Sequence, residues 1–240
     1  MTRRDLRNMS QVVTPLIFGV IYSFMLLRSG GQISAGRGEA PDVLMRGLQS
    51  ASVYMSVGIS LFVSWSLLAR LAGVSFSQEG KQYWMLKSAP VSAKRLLVSK
   101  YLVAYLPALG LSLAFLLIIG VLQRASLSVF LYGLPVVILC TAGNAGINLA
   151  FGVVGVNLNW SDPRHMVSGS SGCLGAIASI VYLVLSLGLF FVPPIVASLF
   201  PIPTILGQLV GLTIGGLFSL AGAIFPPLLV LPRVEIIGNT

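Results

Sequence analysis

A chain of 240 residues with 56% hydrophobic residues, 9% charged residues and a mean hydropathy of +0.94 carries too few charges to cover a soluble globule of its size. Its formal net charge of +9 comes from Lys and Arg at the ends of apolar runs, not interleaved with aromatic residues, which excludes a nucleic-acid-binding module. Cys140 and Cys173 both lie in apolar surroundings, so the chain offers neither a disulfide framework nor a CxxC metal or redox pair.

Six apolar stretches approach the roughly 20 residues that a helix needs to cross hydrocarbon. An all-α, polytopic membrane protein follows, with residues 1–240 as one transmembrane domain. The first stretch, Val12 to Leu27, follows the basic opening TRRDLRN; no small-x-small cleavage site comes after it, so it is expected to be a span and not a signal peptide. The second runs from Ser52 to Leu71. Between it and the third, the segment Ser75 to Lys100 holds six of the 21 charged residues, five of them basic. Tyr83, Trp84, Met85 and Leu86 in that segment suit the headgroup boundary, so a short interfacial helix is expected there. Ser88 as N-cap and Pro90 in the first turn would start a second helix running into the third span, with an elbow at Ala89-Pro90.

The third span is placed at Tyr101 to Leu122 and the fourth at Leu131 to Val154. Asn144 and Asn148 in the fourth are four residues apart and share a helix face, where they would line a substrate path or hydrogen-bond across helices. The polar stretch NLNWSDPRHMVSGSSG follows, with the only histidine of the chain, His165. Asp162, Arg164 and His165 could perform surface acid–base chemistry, although Asp162-Pro163 reads more simply as a turn or cap. The fifth span is placed at Gly175 to Leu199 and the sixth at Thr204 to Leu231. Pro226 and Pro227 are expected to end or break the sixth, because proline lacks the amide donor of a helix interior. Gly207, Gly211, Gly215, Ser219 and Ala223 recur every fourth residue and form a groove for close helix packing.

With the amino terminus inside, eleven Lys and Arg fall on the inner side and four on the outer, which places both termini in the cytoplasm of a cell-membrane protein. Ionisable residues are nearly absent from the spans, which argues against an ion-driven transporter. No GxxxxGK[ST] phosphate loop occurs; the nearest approach, Gly73 to Lys81, has the wrong spacing and Gln82 after the lysine. A single histidine cannot build an HExxH metal site. The loops are too short to bury an independent core.

The pattern FSQEGKQYWMLKSAPVSAKRLLVSKYLVAYLP resembles the cytoplasmic loop between the second and third spans of ABC-2 type permeases, the membrane subunits of ABC exporters. Ser77, Glu79, Gly80, Trp84, Leu86, Ser88, Pro90, Ser92 and Lys100 carry it, and the opening RRDLRNMSQVVTPLIFGVIY is similar to the family's entry to its first span. The resemblance implies a permease subunit of an ATP-driven exporter that is not itself an enzyme and holds no cofactor. ATP would be bound by a separate ATP-binding cassette subunit docked on Glu79, Gly80, Trp84, Leu86, Pro90 and Lys94. It further implies surrounding membrane lipid, no nucleic acid, and a homodimer or a heterodimer with another permease half; some relatives carry two such halves, so the chain could be one of them. Two other classes stand beside it: a membrane-integral enzyme acting on lipid or peptide through Asp162, Arg164 and His165, and a non-catalytic assembly protein packing through the glycine ladder.

Overall fold

The computed structural model describes residues 17, 20, 21, 24, 25, 54–88, 91–123, 125–160, 166–167, 169–200 and 203–237. Among them the protein is all-helical: α1 (Met55–Leu71), a 3-10 segment (Ser77–Gln82), α2 (Tyr83–Ser88), α3 (Ala93–Leu122), α4 (Leu127–Val154), α5 (Gly169–Leu199) and α6 (Thr204–Ile236). No strand forms among the described residues, and one isolated antiparallel bridge pairs Val156 with Val167.

Helices α3 to α6, of 28 to 33 residues, are long and apolar enough to cross a membrane. At 17 residues α1 falls short of the roughly 20 that a perpendicular crossing takes. The expected first span, Val12 to Leu27, lies mostly outside the described residues; Ile17, Val20, Ile21, Phe24 and Met25 within it are helical and exposed. Among the described residues, four helices are therefore of membrane length. Ser88 ends α2, its Oγ donating to the Met85 carbonyl, and so does not open the next helix. Ser92 takes the N-cap position of α3, since its carbonyl accepts the first intrahelical bond, from Leu96. The joint at Ala89-Pro90 lies outside the described residues.

Pro226 and Pro227 do not break the last helix. Helix α6 continues through them and through Pro232 to Ile236, and Pro107, Pro135, Pro193 and Pro194 likewise sit inside helices. Each proline forfeits one backbone bond, but breaking a helix in hydrocarbon would orphan several amides and carbonyls with no water to receive them. Continuing is cheaper.

The chain divides into two compact units. The first comprises residues 1–64, 109–140 and 185–217. Within it Val63, Phe115 and Ile119 form a buried cluster with Ile59 and Leu111 against it, and the Ser60 hydroxyl donates to the Ser112 carbonyl, tying α1 to α3. Tyr54 stacks on Phe191 with ring centroids 5.1 Å apart, and Tyr132 lies edge-on to Tyr54 at 5.8 Å. Polar atoms at the rings' rims are matched: Tyr132 Oη donates to the Phe190 carbonyl at 2.5 Å, and Gln208 Nε2 donates to Tyr54 Oη at 3.2 Å.

Gly207, Gly211 and Gly215 of α6 lie against α5 of the same chain in this unit. A Cβ at Gly211 would come within 2.5 Å of the Phe190 carbonyl oxygen and 2.7 Å of Tyr132 Oη, and one at Gly215 within 2.7 Å of the Phe190 ring. Lipid supplies no hydrophobic drive between helices, so backbone proximity and the dispersion it permits must do so.

The second unit comprises residues 65–108, 141–184 and 218–240. Here α4 meets α6 through Gly143 and Gly146, which abut the Ser219 and Gly222 carbonyls, and Gly152 rests on the Gly73 turn. Tyr101 Oη donates to the Ala142 carbonyl at 2.9 Å, Trp65 Nε1 donates to Ser179 Oγ at 2.9 Å, and Tyr182 stacks on Phe218 at 5.4 Å. Helix α4 is the most buried of the four long helices, with 72% of its most apolar stretch covered against 33%, 33% and 28% in α3, α5 and α6.

Overpacking tests the ladder. Gly211→Leu is expected to destabilise the detergent-solubilised protein by about 1–3 kcal/mol, read as a lower thermal midpoint. Gly110→Ala, where an added Cβ meets nothing within 4 Å, is expected to leave the midpoint level or raise it.

Candidate functional site

The charged segment between α1 and α3 is tied down on three sides within the second unit. Helix α1 ends in a turn at residues 72–76, where Ser75 Oγ donates to the Ala72 carbonyl at 2.9 Å and Phe76 is fully buried. From this anchor the 3-10 segment presents Ser77, also fully buried, toward the chain leaving α4. Ser77 Oγ accepts the Asn157 amide at 3.2 Å and the Ser77 carbonyl accepts Trp160 Nε1–H at 2.6 Å. The third tie is an ion pair between Glu79 Oε1 and Lys100 Nζ of α3 at 2.5 Å, with both side chains partly buried.

Gly80 makes this arrangement possible. Its φ of +52° is a left-handed conformation that side chains disfavour, and a Cβ there would lie 3.2 Å from Trp160 Nε1. The backbone kinks at this glycine, and the Tyr83 amide then returns to its carbonyl to begin α2. Tyr83 is buried, which pushes its phenol pKa upward by desolvation.

Of the residues expected to meet a partner, Glu79 is already engaged by Lys100, and Gly80 is packed beneath Trp160. Lys94 is exposed on the first turn of α3. Trp84 and Leu86 belong to α2, but their side chains lie outside the described ones, as does Pro90 altogether. Asn144 and Asn148 are buried and bond along their own helix: Asn148 Nδ2 donates to both the Asn144 carbonyl and Asn144 Oδ1, each at 2.9 Å. Asn148 also borders a cavity of about 130 Å³ with Gly73, Phe151, Gly152, Gly175 and Ala176. Asp162, Arg164 and His165 lie outside the described residues.

Sequence reasoning did not find Trp160 and Asn157. They stand 80 and 83 residues from their partner Ser77, so no local spacing signals them. The indole in NLNWSDP, a lone aromatic in a polar stretch at a helix exit, was the available clue.

The fold and the site together define a helical protein with membrane-length helices and a latched polar segment at their ends. Residues 3–228 match the model of a family described as "Putative ATP-binding cassette", and the chain belongs to that family. Neither a curated protein nor a solved structure matches it. The family match replaces the ABC-2 permease resemblance, which rested on one loop and the opening segment, and with it falls the exporter-permease function. It also overturns the expectation of a chain without enzymatic activity, because a cassette family implies ATP hydrolysis.

No GxxxxGK[ST] phosphate loop occurs in the sequence. Phosphate loops cradle their ligand with successive free backbone amides and a lysine. In this chain the single Gly-Lys pair, Gly80-Lys81, is followed by Gln82, and Gly80 is covered by the Trp160 indole.

The latch can be tested by a double-mutant cycle. Glu79→Gln and Lys100→Met are expected to show a coupling on the order of 1 kcal/mol in thermal unfolding; additive effects would show the pair to be idle. Gly80→Ala is expected to cost about 1–2 kcal/mol and to speed hydrogen exchange across residues 75–88.

Proposed function

We propose that the chain is a membrane-integral member of an ATP-binding-cassette system, and that its latched segment from Ser77 to Ser88 passes ATP-dependent movement to the membrane helices. The observation that carries this reading is the three-way tie of the segment. Ser77, Glu79 and Gly80 are joined to α3 through Lys100 and to the exit of α4 through Asn157 and Trp160, so a force on this surface reaches two long helices through short polar contacts. A merely solvated charged loop would need none of these ties.

In this reading the chain has six spans, the termini and the segment face the cytoplasm, and the exposed apolar faces of α3 to α6 meet lipid. Lys94 and the α2 residues Trp84 and Leu86 form the surface that a partner in this system engages. Glu79 and Gly80 serve from behind by holding the platform in shape. A second, similar chain completes the assembly. Asn148, by donating to Asn144 one turn earlier, stiffens α4 beside the cavity that it borders.

The test is ATP turnover of the assembly purified from native membranes in mild detergent. Lys100→Met and Trp160→Phe are expected to lower it about tenfold, the effect of a loss of about 1.4 kcal/mol in a coupled step, with insertion and monodispersity preserved. Turnover equal to wild type in these variants would separate the latch from ATP-dependent function.

A further inference from the structure

We propose that the pocket where α4 and α6 end binds the headgroup of an anionic phospholipid. The pocket has a volume of about 470 Å³, within the roughly 300–1,000 Å³ typical of ligand sites. Its walls divide by chemistry. Val153, Ile236 and Ile237 supply apolar surface, whereas Asn157, Asn159 and Arg233 gather polar groups. That division suits an amphiphile whose charged end meets Arg233 and whose carbon stem lies along the valine and isoleucines.

Arg233 decides the sign of the ligand. Its exposed side chain makes no hydrogen bond or ion pair among the described residues, although a guanidinium offers five donors in a fork that matches phosphate oxygens. Glu235, the nearest carboxylate in sequence, is not part of the lining. The second unit as a whole carries eight Lys or Arg against three Asp or Glu, so the surrounding field also favours an anion. Membrane-length helices ending at this pocket place it at the level of lipid headgroups, where basic pockets between helices take anionic lipids.

The pocket shares a residue with the latch. Asn157, which borders the pocket, gives its amide to Ser77 Oγ, and its Oδ1 accepts the Asn159 amide at 3.1 Å. This inference rests on the membrane setting and not on the ATP-linked reading, so either can fail without the other.

Native mass spectrometry of the purified protein with an equimolar mixture of phosphatidylglycerol and phosphatidylcholine tests it. Phosphatidylglycerol is expected to dominate the retained lipid in wild type. Arg233→Gln is expected to reduce that retention about fivefold, the weight of one basic residue at an anionic surface, while Arg233→Lys keeps most of it. Equal retention of the two lipids by wild type, which needs no variant, would overturn the proposal, as would unchanged retention in a monodisperse Arg233→Gln protein. Displacement of the lipid by excess free glycerol 3-phosphate would assign the site to a soluble phosphate and overturn the lipid assignment.

Discussion

Backbone amides and carbonyls in hydrocarbon have no water to turn to, and this constraint shapes the whole molecule. Each segment must satisfy its polar groups internally, so the chain becomes long helices. The same penalty keeps α6 helical through Pro226, Pro227 and Pro232, where an aqueous helix would stop. It also explains the side chains inside. Buried Ser60 bonds a carbonyl of the neighbouring helix, while buried Asn148 bonds the preceding turn of its own helix.

With no hydrophobic gain from bringing helices together in lipid, contact depends on how closely backbones approach. Gly211 and Gly215 admit the Phe190 backbone and ring, and Gly143 and Gly146 admit the α6 backbone. Larger apolar residues are left to face outward, as with Leu229, 78% exposed. Small residues thus set how closely the helices approach, while large side chains such as Phe190 and Ile119 fill the space between them.

The polar segment obeys the opposite economy. At the membrane surface water competes for every polar contact, so a segment of this length stays fixed only where its bonds are sheltered. Ser77 is fully buried, and Gly80 takes a left-handed turn that lets the Trp160 indole close over it. Glu79 pairs one carboxylate oxygen with Lys100 and so ties the segment to α3. Ser77, Glu79 and Gly80 thus hold the segment in place. A loop resemblance could not by itself establish the family: the match over residues 3–228 points to an ATP-binding cassette family instead of the permeases.

Composition and apolar run length determined the all-helical, membrane-embedded character and the approximate positions of α1 and α3 to α6, because hydrocarbon burial is a property that each stretch of about 20 residues carries by itself. The period-four small residues likewise declared a packing face. Only the tertiary structure decided that α5 fills the groove at Gly207, Gly211 and Gly215, that Asn144 and Asn148 answer each other, and that Trp160 and Asn157 close on Ser77 from about 80 residues away. Those outcomes depend on which surfaces meet, and partners separated by a whole helix leave no local period in the chain. The prolines mark the boundary between the two kinds of knowledge: their intrinsic cost is local and legible, but whether a helix bears it depends on the medium around it.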